Sequence, residues 1–196
     1  MNMQTNLTDK NRSALETLLL AAQKAAEGTL KQRGHVTPVF SGLTPSGSFW
    51  LPSLDFPCDE AKEAFASLIR LVCIAAEATA GVLTLEAWGV FPMPGEQLDL
   101  GARPSLHPNR QEVVLFTGQA LGGIYAHRFL PILRDAEGRC TGLGPANECP
   151  PEPPEGRFSR FLPTRALSAQ DRDLARQLLA AMGTKVIPIS PSAGQQ

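Results

Sequence analysis

Between Ser13 and Gln32, apolar residues recur at steps of three and four: Leu15, Leu18, Leu19, Ala22, Ala26 and Leu30 fall on one stripe. Arg12, Glu16, Gln23, Lys24 and Glu27 fall largely elsewhere. That spacing matches the α-helical turn and predicts a first helix over 13–32, ended by Gly34 and preceded by a flexible polar arm, 1–12. The next stretch, HVTPVFSGLTPSGSFWLPSLDFPC, has one formal charge, Asp55. VTPVFSGL and GSFWLP read as two strands joined around TPSG, with Pro38 pointing to an edge position or a bulge in the first.

A second helix is punctuated at its start by Pro57 and then by Asp59, a candidate cap, with Glu60 and Glu63 suiting the positive helix end. Phe65, Leu68, Ile69, Val72, Cys73, Ala76 and Ala80 give it a broad apolar face, and Gly81 is placed to end it in left-handed geometry. The strand VLTLEAWGVF, 82–91, follows almost at once, so helix and sheet are expected to pack back to back. Residues 92–109 are rich in proline, glycine and polar positions and read as a long loop. QEVVLFTG and GGIYAHRFLPILR read as further strands, DAEG as a turn, and RCTGL as a short closing strand.

The run GPANECPPEPPEG is nearly devoid of hydrophobes, so 144–167 is expected to form a proline-rich linker or docking arm. SAQDRDLARQLLAAMG opens with a capping box made by Ser168 and Asp171. It predicts a C-terminal helix over 168–183 with Leu174, Leu178, Leu179 and Met182 on its apolar face, followed by a loose tail, 184–196. The element order predicts an α+β fold. A largely antiparallel sheet packs against two long helices in a core domain, 13–143, and the C-terminal helix is appended. Such a helix on a polyproline-type tether can dock on its own domain or on a neighbouring copy, which favours a homodimer.

Composition narrows the function. The chain has 196 residues and a formal net charge of -1. It is long enough to close a core without metal or disulfides and offers no overall charge for a phosphate backbone or an anionic membrane. The apolar runs are interrupted by charge and predict no membrane span or signal peptide, so a cytoplasmic location is expected. Cys58, Cys73, Cys140 and Cys149 lack the close spacing of a zinc hook. Cys73 lies on the apolar helix face and reads as core.

Candidate chemistry is sparse. There is no phosphate-binding glycine loop, no H-E-x-x-H and no G-x-S-x-G, and His35, His107 and His127 are isolated singles, so neither cofactor nor metal is expected. Cys58 sits at a helix start, but Asp59 and Glu60 oppose a stabilised thiolate. What remains is a cluster that folding has to assemble. Glu86, His127 and Arg110 are the candidate catalytic set, because a carboxylate that orients an imidazole is a common acid-base couple, provided their strand faces coincide. Trp88, His107, Arg110, Glu112 and Tyr125 are the candidate ligand or partner residues.

The leading expectation is a domain that works through protein-protein assembly with itself or another protein, using Trp88, the loop 92–109 and the arm 144–167. One alternative is a small hydrolase-like or ligand-binding protein built on the Glu/His/Arg cluster. A second is a nucleic-acid-associated protein whose Arg103, Arg110, Arg128, Arg134, Arg139, Arg157, Arg160 and Arg165 gather into one patch.

Overall fold

A computed structural model describes residues 3–53, 56–91, 104–149, 157–184 and 187–189. The fold is α+β with an antiparallel sheet. Helix α1 (Met3–Arg33) is followed by the hairpin β1 (Val39–Thr44) and β2 (Gly47–Pro52), then α2 (Asp59–Ala75) and the long strand β3 (Ala80–Val90). A single 3-10 turn (Pro104–Leu106) leads into β4 (Arg110–Ala120) and β5 (Ile124–Arg134). Two short strands, β6 (Cys140–Leu143) and β7 (Asn147–Cys149), both pair with β5. Helix α3 (Ala169–Ala181) and strand β8 (Ile187–Ile189) close the described chain. Across the sheet the order is β6, β5, β4, β3, β1, β2, β8.

The two faces of the sheet are covered differently. On one face Leu15, Leu19, Ala22, Ala26 and Leu30 of α1 pack on Ala80, Val82, Val114, Phe116 and Leu130, so the helical stripe read from sequence is the buried one. On the other face Phe65, Ile69, Val72 and Cys73 of α2 meet Phe40, Phe49, Leu51 and Leu83, joined by Leu179 of α3 and by Phe161 and Leu162. Burial in this second core pushes the Cys73 thiol well above its ordinary range, so it stays protonated and inert.

Several local expectations change. Helix α1 is already formed at Met3, so residues 3–12 of the expected flexible arm are helical, and Asn11 Nδ2 donates to the Leu121 carbonyl at 3.1 Å. Strand β1 is internal, paired with both β2 and β3, because Pro38 stands just before it and costs the ladder no donor. Helix α2 is not capped by Asp59. Cys58 is the N-cap without a side-chain capping bond, and Asp59 instead binds Lys62 at 3.0 Å and Arg157 at 3.2 Å.

Gly81 does not end α2 either. The helix stops at Ala75, and Glu77 takes the left-handed backbone, φ 55°, while its carboxylate meets Arg172 of α3 at 3.4 Å. Gly81 lies inside β3, where a side chain would collide with the Phe40 ring. Glycine is required there by close approach instead of by helix termination.

The arm 144–167 splits into parts. Residues 150–156 lie outside the described residues. Before them β7 adds to the sheet edge. After them the segment 157–162 is strapped to α2: Arg70 Nη2 donates to the carbonyls of Arg157 (2.6 Å) and Ser159 (3.4 Å), and Arg157 Nη1 donates to the Asp59 carbonyl at 2.8 Å. Buried Gln119 accepts the Leu162 N–H at 3.1 Å, which fixes the strap to β4. Phe161 is 2% exposed and stacks edge-on against Phe40 at 5.3 Å. This half of the expected docking arm therefore docks on its own domain.

The capping box of α3 forms as read, with Ser168 Oγ accepting from the Asp171 N–H and Asp171 accepting from the Ser168 N–H. Its burial is narrower than expected: Ala175 and Leu179 are inside, while Leu174, Leu178 and Met182 are exposed.

Candidate functional site

Side chains alternate along a strand, so register decides which residues of the long β3–β4 hairpin can meet. Glu86 lies opposite Val114 and Trp88 opposite Glu112, while Val90 lies opposite Arg110. Since Val82 and Val114 are under α1, the side chains of Glu86, Trp88, Arg110 and Glu112 belong to that same face. They stand where α1 has ended. Leu30 is its last buried residue, and the chain then turns at Gly34, whose N–H donates to the Leu30 carbonyl at 2.8 Å.

Each of these side chains has a definite partner. The Val36 N–H donates to Glu86 Oε1 at 2.6 Å, which ties the loop after α1 to β3. The Arg110 guanidinium carbon stands 5.0 Å from the centre of the Trp88 ring, within cation-π range. Glu112 accepts from Arg134 Nε at 2.6 Å, and that bond is the main reason the Arg134 guanidinium is held above its ordinary pKa. Trp88 remains 41% exposed despite its neighbour.

His107 supplies the turn that delivers Arg110. Its N–H donates to the Pro104 carbonyl at 3.1 Å, its carbonyl accepts from the Arg110 N–H at 3.2 Å, and its Nδ1 accepts from the Asn109 N–H at 3.1 Å. An accepting Nδ1 places the ring proton on Nε2 in the neutral form. The histidine thus punctuates the turn and brings Arg110 to Trp88.

The faces of Glu86 and His127 do not coincide. His127 lies opposite Thr117, and Thr117 opposite Leu83, whose side chain is in the core on the α2 side. Glu86 therefore points to the α1 face and His127 to the other, and the sheet separates the expected acid-base couple. Tyr125 shares the His127 face, as expected from its spacing, and lines a small concavity of about 190 Å³ with Gln119 and Leu162. His35 is exposed, with Nδ1 3.1 Å from the Arg33 carbonyl. Among the described residues no three of His, Cys, Asp and Glu gather as metal ligands.

Larger concavities lie at the opposite end of the hairpin. One of about 870 Å³ is lined by residues that include Leu7, Asn11, Leu43, Thr79 and Leu121. A neighbour of about 390 Å³ includes Glu77, Arg165 and Arg172, whose charges are bound within the protein: Glu77 to Arg172, and Arg165 to Asp171. Neither contains Glu86, His127 or Arg110.

Several arginines of the expected patch are ion-paired within the protein. Arg128 meets Glu16 at 2.6 Å, Arg134 meets Glu112, Arg139 meets Asp135 at 2.8 Å, and Arg157 meets Asp59. Arg103 and the loop 92–103 lie outside the described residues. Sequence reading placed Arg134 only in this patch and missed its place beside Glu112. The signal was the even spacing from Leu130, but it becomes usable only when Val114 is known to face Leu130. No family model, no curated protein and no solved structure matches the chain.

Proposed function

We propose that this protein acts by protein-protein assembly, as a homodimer that offers the Trp88 end of its sheet to a protein ligand. The observation that carries this reading is a 41% exposed tryptophan bearing a guanidinium 5.0 Å above its ring, on a stretch of sheet that no described helix covers. Tryptophan and arginine are the side chains most often found as anchors of protein interfaces, and stacking holds the arginine ready at low entropic cost. The charge pattern favours an acidic ligand. Glu86 is tied to Val36 and Glu112 to Arg134, while Arg110 meets the Trp88 ring and, at 3.4 Å, the His107 carbonyl, but no carboxylate among the described residues. The assigned roles are therefore Trp88 as anchor, Arg110 as anion partner, His107 as the residue that positions Arg110, and Glu112 as the holder of Arg134.

A cytoplasmic location belongs to the same reading, and no described helix is long and apolar enough to cross a membrane. Selection of a random peptide library on the intact chain tests the proposal. Peptides pairing an acidic with an apolar residue are expected to enrich, and to lose at least tenfold in affinity on Trp88→Ala and on Arg110→Glu. Enriched peptides that bind both variants as well as the parent protein would overturn it, as would the absence of any enrichment.

A further inference from the structure

The concavity of about 870 Å³ lies at the end of the β3–β4 hairpin away from Trp88 and has no part in the reading above. Three elements wall it: the first turns of α1 from Leu7 to Ala14, the tip of the β1–β2 hairpin from Leu43 to Pro45, and the β4–β5 turn at Leu121 and Gly122. It exists because α1 starts at Met3 while its buried stripe starts at Leu15. Leu7, Asn11 and Ala14 carry that stripe on at steps of four and three, past the core, and Leu7 is left 60% exposed.

The polar groups of the walls are bound to one another. The Thr79 N–H and hydroxyl both donate to the Leu43 carbonyl, at 2.7 and 3.2 Å, and the Leu121 N–H donates to the Thr79 carbonyl at 2.9 Å. The Leu121 carbonyl accepts from Asn11, and the Thr44 hydroxyl donates to the Gly47 carbonyl at 3.0 Å. What the walls offer a ligand is therefore the apolar surface of Leu7, Leu43, Pro45 and Leu121, and one charge. Lys10 is the one charged residue of the described lining, and its ammonium meets no carboxylate among the described residues.

We infer that this concavity binds a small monocarboxylate with an apolar body, its acid group against Lys10 and its carbon chain along Leu7, Leu43 and Leu121. A volume of about 870 Å³ lies within the range of small-molecule sites, about 300–1,000 Å³. The sign of the charge selects an acid over a base or a neutral lipid. Its number selects a carboxylate over a phosphate dianion, because the neighbouring concavity adds only arginines that already hold carboxylates, Arg165 with Asp171 and Arg172 with Glu77. Lys10 is exposed, so its ammonium stands at the mouth, where the acid group keeps part of its water while the chain leaves water for the apolar walls.

Isothermal titration calorimetry of the full chain with octanoate tests this, with octylamine as the probe of opposite charge. Octanoate is expected to bind at one site per chain, at least tenfold more tightly than octylamine. Lys10→Glu and Leu7→Ser are each expected to weaken octanoate by at least tenfold, with circular dichroism to show that the variants are folded. Absence of octanoate binding to the parent chain would overturn the inference. So would octylamine binding as tightly as octanoate, since the apolar walls would then be acting without Lys10, and this comparison needs no variant. Octanoate that binds both folded variants as well as the parent chain sits elsewhere on the protein, which would overturn it as well.

Discussion

The two halves of strand β3 make the most informative comparison in the molecule. From Ala80 to Thr84 every residue is buried, under α1 on one side and α2 on the other; from Leu85 to Val90 none is. The strand keeps its pairing with β4 through both halves, so the ladder itself does not distinguish them. The difference lies in what covers the sheet. Where helices lie above and below, the chain uses Val82, Leu83 and Phe116, and where no described helix lies, it uses Glu86, Trp88, Arg110 and Glu112. The first half is enclosed by the two cores, and the second leaves Trp88 exposed.

The strongest way to break this division is to attack the covered half. Phe161→Ala should cost about 3–5 kcal/mol in urea unfolding, because it empties a site filled against Phe40 and Leu83. A loss under about 1 kcal/mol would return the strap to the role of a loose docking arm. Gly81→Ala should cost about 1–3 kcal/mol by overpacking against Phe40, read as a lowered melting temperature. An unchanged melting temperature would remove the close-approach argument for that glycine.

The appended helix gives a smaller effect with a pH signature. Ser168→Ala should cost about 1 kcal/mol through loss of the N-cap. Asp171 is held well below the ordinary carboxylate range, first by hydrogen bonds from Arg165 and then by the Ser168 N–H and hydroxyl. A depressed pKa means stability that is fully present above the unfolded carboxylate's value and lost as pH falls through the folded one. The melting temperature of the parent chain should thus exceed that of Asp171→Asn at neutral pH, with the gap shrinking only in acid. A gap that widens on acidification would reverse the assignment. Smallest of all, Arg110→Ala should change stability by about 0.5–1 kcal/mol, the range of an exposed cation-π contact, and a far larger loss would make Arg110 part of the fold.

What the sequence disclosed follows the same division. The helical stripe of α1 and the capping box of α3 are local patterns, each written within a short stretch of chain, and both are present. The face on which His127 lies is not local. It depends on Thr117 standing opposite both Leu83 and His127, a relation among three strands that no spacing in one of them encodes. The end of α2 fails to be legible for a similar reason. Glu77 adopts a left-handed backbone that its residue type disfavours and meets Arg172 and Arg176, nearly a hundred positions further on, whereas the glycine that looked like a terminator is needed under Phe40. The membership of the candidate site was readable as residue types, and its geometry waited on register.

The division between the halves of β3 requires the half bearing Trp88 to be dispensable to the fold. Urea unfolding of Phe116→Ala and Trp88→Ala, measured side by side, asks this directly, since both residues are large aromatics on the same sheet face. The expected result is a loss of about 3–5 kcal/mol for Phe116→Ala and about 1 kcal/mol for Trp88→Ala, with the same dependence on urea. Equal losses would contradict the division, because Trp88 would then be a packing residue and its end of the sheet a second core.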